Sequence, residues 1–272
     1  IEAGYGPSRD RSENWLNLAV AHLEATLQQI DGIEGCVLAC SAKDIRNAKD
    51  RNQVAILLGT EGTRWLEGSL EPLRLFHRLG LRELQLTWAY PNAVVPDGRL
   101  SEFGRSVVDE CGRLGIIIDL THIPREAFFD VVEVATQPLI ISHGSAQAVT
   151  TDLDDEQIRA LAETGGLVGI HFYTTYLGAN PQPIDVVKQI DHITDLVGID
   201  AVALGVDFFP ADGAWRNLQI AQGTTDLEWA IDDVSQMPQI TDALFEQGYT
   251  ESQIRKVLGE NLLRVFREVI GE

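Results

Sequence analysis

Three observations in the sequence predict an α/β fold and, within that class, a (β/α)8 barrel lacking its N-terminal one or two strands. Short apolar, β-branched runs alternate along the chain with stretches of helical period. The residues that close successive runs are Glu61, Trp88, His122, His143, His171 and Asp207, spaced by 27, 34, 21, 28 and 36, each enough for one strand–helix unit. No glycine-rich phosphate loop follows an early strand, which sets a barrel ahead of a doubly wound sheet.

Taken in order, the runs are Val54–Leu58, Leu84–Thr87, Ile116–Leu120, Leu139–Ser142, Leu167–Phe172 and Ala201–Asp207. Each is apolar almost throughout, as a strand covered on both faces requires. The amphipathic stretches that follow them are Leu70–Leu79, Glu102–Leu114, Pro124–Ala135, Asp155–Glu163, Ile184–Val197 and Gln239–Gln247. Gly80, Gly115, Gly165-Gly166 and Gly248 stand just past helical stretches, where a left-handed residue ends a helix at least cost. Alternating strands and helices imply parallel pairing with right-handed crossovers. Six strands are two short of a closed barrel and leave sheet edges bare. The sequence also opens on Ile1 rather than Met and has no signal-peptide pattern. The expectation is one barrel domain over residues 1–272 that is incomplete at its N-terminus. No linker, repeat or low-complexity segment divides it.

Composition narrows the partners. Of 272 residues, 44% are apolar and 23% charged, and 21 Lys+Arg against 41 Asp+Glu leave a net charge of −20. Such a surface repels phosphate backbones and anionic headgroups, so neither nucleic acid nor a membrane is an expected partner. No apolar run approaches the ~20 residues that span a bilayer. Cys36, Cys40 and Cys111 are too few for a disulfide framework, which points to a reducing compartment and a cytoplasmic location.

In a barrel of this kind, reactive side chains stand at the carboxyl ends of strands. Glu61 closes VAILLGTEG, His122 closes GIIIDLTH, His143 closes PLIISHG, and Asp207 is reached in VALGVDF. A lone histidine at a strand end is usually a satisfied structural residue. Four metal-competent side chains at four strand ends are another matter, because chance would scatter them along helices too. Imidazoles with a carboxylate suit Zn2+ or a similar divalent ion. Glu61 has two oxygens with which to bridge two ions, and Asp207 is placed to ligate or to act as a base. His22, His77 and His192 lie in helical stretches and are read as surface or packing residues. His171 also ends a strand and is expected to line the pocket. Asp119 alternates to the face opposite His122 and is expected to pair with a helix or the backbone. Ser142 and Ser145 flank His143, but the G-x-S-x-G elbow of a serine hydrolase is absent.

The motifs LLGTEG, LRELQLTW, LSEFGRSVVDECGRLGIIIDLTH, PLIISHGSAQAV, DDEQIRALAETGGLVGI, LVGIDAVALGVDF and GYTESQIRKVLGENLLRVF resemble the membrane dipeptidase, or renal dipeptidase, family of zinc metallopeptidases. The resemblance runs from about Leu23 to Val269. It implies a metal-dependent hydrolase barrel with a binuclear zinc centre. By position, Glu61 looks like the bridging glutamate and His122 and His143 like the histidines on the second zinc. Asp207 looks like the aspartate near the first zinc that passes a proton from water to the leaving amine. The implied reaction is hydrolysis of a dipeptide, and a homodimer is implied by resemblance alone.

Three departures stand out. No His-x-Asp pair occurs anywhere, so the first metal site is weak. Trp88 occupies the place of a histidine that would help the tetrahedral oxyanion; an indole N–H donates but cannot carry charge. The stretch Ala146–Leu153 has no Arg or Lys to clamp a substrate carboxylate, leaving Arg216 and Arg99 as substitutes. Trp88, His171 and Arg216 are therefore the candidate substrate contacts. Two alternatives stay open: a metal-dependent amidase acting on a non-dipeptide substrate, and a catalytically impaired relative used for binding or as a scaffold.

Overall fold

The computed structural model describes residues 14–88, 91–147, 152–208 and 228–272. The chain divides into two units, one formed by residues 1–139 with 263–272 and the other by residues 140–262.

In the first unit, helix α1 (Trp15–Gly32) is capped by Asn14, whose side chain accepts from the Asn17 N–H at 2.9 Å. Strand β1 (Cys36–Leu38), helix α2 (Ala42–Asp50) and strand β2 (Val54–Ile56) follow, with β1 and β2 paired in parallel. Then come β3 (Leu58–Glu61), α3 (Glu71–Arg78), β4 (Leu81–Gln85), α4 (Glu102–Leu114), β5 (Ile117–Asp119) and α5 (Arg125–Val134). β4 pairs in parallel with both β3 and β5, in a register that sets Glu61 beside Gln85 and Gln85 beside Asp119. Leu81, Leu84 and Ile116–Ile118 are fully buried, and in β5 the apolar residues run without polar alternation up to Asp119. Beneath α3, the buried Trp65 ring stacks on Phe76 at 4.5 Å, and its Nε1–H donates to the Gly62 carbonyl. Burial of side chains of this size contributes about 1.5–3 kcal/mol each.

The second unit takes β6 (Leu139–Gly144) from its second residue onward, then α6 (Asp155–Glu163), β7 (Leu167–Ile170), α7 (Thr174–Leu177), α8 (Pro183–Val197) and β8 (Val202–Leu204). Helix α6 opens with a capping box in which Asp154 and Gln157 satisfy each other's backbone N–H groups. β7 pairs in parallel with β6 and with β8. This contact demands glycine at two places. A Cβ on Gly169 or Gly205 would stand 2.1 Å or 2.0 Å from the Ser142 carbonyl oxygen. Both glycines lie two residues before a candidate site residue, so backbone proximity there is built in. Buried Asn261 anchors the start of β8, its Nδ2 donating to Ile199 O and Val202 O at 2.7 Å each.

The α/β class and the parallel pairing are as the sequence predicts. The strand boundaries differ in two ways. The run expected as one strand, Val54–Leu58, changes partner at Leu57: its first half pairs with β1, a strand the sequence reading missed, and Leu58 begins β3. The strands after it also end earlier than expected at β4, β5, β7 and β8, leaving Trp88, His122, His171 and Asp207 on the loops beyond them. No helix among the described residues is long and apolar enough to cross a membrane.

Candidate metal centre

Glu61 is the last residue of β3, and its Oε1 lies 3.4 Å from His122 Nε2, with each side chain keeping about 30% of its surface (30% and 28%). The turn that delivers His122 is built by Asp119. This buried carboxylate accepts the Thr121 N–H at 3.0 Å and the Thr121 hydroxyl at 2.7 Å, closing the chain on itself after β5. His122 then takes φ 64, the left-handed region that side chains other than glycine rarely occupy. Backbone strain of this kind costs of order 1–3 kcal/mol and concentrates at functional sites. The backbone pairing expected of Asp119 is thus observed, on its own turn.

One buried acid in this unit was not singled out from the sequence. Glu83, in the middle of β4, fills the space that a side chain at Gly59 would take: a Cβ there would stand 1.7 Å from Glu83 Oε2. Its Oε1 is out of reach of solvent and has no hydrogen-bond partner. Desolvation, and then the nearby charge of Asp119, push the carboxyl well above its ordinary range. The signal in the sequence is faint, two charged residues, Arg82 and Glu83, between the leucines of LRELQL.

Trp88 is half-buried three residues past β4. Arg99 does not stand free to clamp a substrate: its Nε and Nη2 donate to the two oxygens of Asp130 at 2.7 and 2.5 Å. That two-pronged pairing uses the face a carboxylate ligand would need. Arg216 lies outside the described residues.

The second unit assembles another group. His143 lies in β6, with Ser142 Oγ 2.9 Å from its Nδ1. His171, one residue past β7, is only 1% exposed; Tyr176 stacks on it at 4.2 Å between centroids, and the Tyr173 ring meets it edgewise at 4.5 Å. His143 and His171 meet edge to face at 5.3 Å. Asp207, three residues past β8, adopts φ 48 and brings Oδ2 to 3.3 Å from His171 Nε2. One potential ligand atom from each of His143, His171 and Asp207 falls within 4.8 Å of the others. Imidazole nitrogens and carboxylate oxygens are the donors that zinc and similar divalent ions take.

Residues 7–271 match the family model described as membrane dipeptidase, Peptidase family M19. The chain belongs to this family. A curated relative, Dipeptidase tcpJ of Claviceps purpurea (strain 20.1), is 30% identical over 283 residues, a match covering 95% of this chain and 64% of the relative. The chain thus spans less than two thirds of that relative's length. Among solved structures, an amidohydrolase from Pseudomonas aeruginosa is matched with a TM-score of 0.88 at 27% identity, over 94% of this chain and 86% of the other. A metallopeptidase from Rhodobacter sphaeroides, solved with a phosphinate mimic of the dipeptide L-Ala-D-Ala, is matched with a TM-score of 0.82 at 28% identity, over 95% and 76%. The parallel α/β architecture of this chain is therefore one that the family's solved members share.

Proposed function

We propose that this chain is a zinc-dependent dipeptidase that hydrolyses the peptide bond of dipeptides. The observation that supports the reading best is the match to the M19 family over residues 7–271, on a chain whose strand ends carry imidazoles and carboxylates. Glu61, His122 and His143 are the metal ligands in this reading. Ser142 Oγ beside Nδ1 of His143 favours coordination through the other ring nitrogen. A bound zinc ion supplies Lewis acidity that makes water a nucleophile near neutral pH and polarises the scissile carbonyl. Asp207 takes the proton of the attacking water on a carboxylate oxygen and delivers it to the departing amine. The indole N–H of Trp88 donates to the substrate and Arg216 meets its carboxylate, whereas His171, expected to be a third contact, is only 1% exposed and lies behind Asp207. The free cysteines Cys36, Cys40 and Cys111 suit a reducing, cytoplasmic setting.

A second reading, a metal-dependent amidase acting on another small amide, is favoured by Trp88 alone, since a neutral donor gives less help to an oxyanion. One experiment separates the two. The purified protein is assayed on a panel of dipeptides and N-acylated amino acids, before and after chelation and after addition of zinc, with its metal content measured. Dipeptide turnover that is lost on chelation and restored by zinc supports the dipeptidase. Turnover of N-acyl substrates only moves the assignment to the amidase. A fully metal-loaded protein that turns over neither class defeats both.

A further inference from the structure

We propose that His171 is a positioning residue for Asp207 and not a metal ligand, held as the neutral tautomer with its proton on Nε2. The inference rests on reading Asp207 as the base, but its structural half stands on contacts of its own. The backbone N–H of Phe172 donates to His171 Nδ1 at 3.1 Å. That nitrogen is therefore an acceptor without a proton. In the neutral ring the proton must then reside on Nε2, which faces Asp207 Oδ2 at 3.3 Å.

The same contact excludes the alternatives. Coordination of an ion through Nε2 needs a lone pair there, which moves the proton to Nδ1 and sets it against the Phe172 N–H. A doubly protonated ring meets the same clash. Rotation of the ring is blocked as well, because Tyr176 stacks on it with planes 15° apart, Tyr173 abuts its edge, and only 1% of the residue is exposed. The ring is thus a fixed donor aimed at a carboxylate whose own backbone is held at φ 48. At 3.3 Å the bond is long for a charge-assisted pair, as such contacts often are before substrate binds. His171 acts on the reaction through Asp207, by limiting the directions in which that carboxylate can receive a proton.

Two measurements test this. In the wild-type protein with 15N-labelled histidine, long-range 15N–1H correlation spectra report which ring nitrogen of each histidine bears the proton, and His171→Gln assigns the His171 signals by their disappearance. His171 is expected to show a bare Nδ1 and a protonated Nε2, a pattern retained when zinc is added, while other histidines change. A protonated Nδ1, or a zinc-dependent change of the His171 ring to a coordinated form, overturns the proposal. In kinetics, His171→Phe is expected to lower kcat by about 10–100-fold with KM and zinc content little changed, and His171→Gln, which keeps a donor, to recover most of the loss. Equal losses in both variants, or loss of zinc from either, overturn it. Absence of dipeptide turnover in the wild-type protein would count against the dipeptidase reading alone, since the tautomer is read without any substrate.

Discussion

The two groups of candidate site residues are held in different ways. In the first unit, Glu61 and His122 keep about 30% of their side-chain surfaces, and Glu61 Oε1 approaches His122 Nε2 at 3.4 Å. In the second, His171 is sealed by two tyrosines, accepts from the Phe172 N–H at Nδ1 and faces Asp207 with Nε2 at 3.3 Å. The first pair stays open to solvent on both side chains. The His171 ring is packed on both sides and closed to solvent. What the two have in common is the backbone: His122 and Asp207 both stand just past a strand at positive φ, a conformation that turns the side chain out of the strand's alternation. The contrast predicts that substitutions in the open pair change metal binding and leave the fold alone, whereas those in the sealed group also disturb packing.

The largest effect is expected at the proposed ligands. His122→Ala and His143→Ala should each reduce hydrolysis to background and lower zinc content, and His122→Ala should leave the thermal unfolding of the metal-free protein nearly unchanged because its side chain is open to solvent. Undiminished turnover in both variants would remove these two side chains from the ligand set. Asp207→Asn should lower kcat by about 10²–10⁴-fold, the usual worth of a general base, while zinc stays bound. Wild-type turnover with an amide at this position would mean that the proton goes elsewhere.

Stability separates the regions further. Gly169→Ala drives a methyl group into the Ser142 carbonyl oxygen, a rigid backbone atom, and should cost about 1–3 kcal/mol in urea unfolding. Wild-type stability would show that the strands can part there without cost. The smallest effect is expected at Glu83. Its carboxyl keeps its proton to a higher pH in the folded chain than the ordinary value of 4.5 in the unfolded one. The folded state therefore binds more protons between those two values, and stability falls as pH rises through that interval. Glu83→Gln removes the cost and should raise Tm of the metal-free protein by ~2 °C at pH 7, with a gain that shrinks towards pH 4. A gain independent of pH would mean that the carboxyl titrates normally.

Much of this was legible in order along the chain. Continuous apolar runs announced buried strands, glycines announced helix ends, and His122 and His143 could be picked out because each comes within a few residues of the end of an apolar run. Periodicity could not show that pairing stops at Ile170 and Leu204, short of His171 and Asp207, because a strand ends where its partners end. Nor could it show that the Val54–Leu58 run serves two different neighbours, since apolar character is the same whichever strand lies alongside. Arg99 looked available from the sequence because Asp130, which occupies it, is 31 residues away.

The sequence by itself determined the class of fold, the ladder of strands and helices, and the identities and spacing of the metal-competent side chains. These follow from local pattern and from chemistry that each residue carries alone. Only the tertiary structure decided that Asp119 closes the turn ahead of His122, that the Glu83 carboxyl is closed off without a full set of partners, and that His171 turns Nδ1 to the Phe172 N–H and Nε2 to Asp207. Those outcomes depend on desolvation and on the direction of individual hydrogen bonds. Both arise when backbone and side chains distant in the chain, or turned by the fold, are brought within about 3 Å of each other.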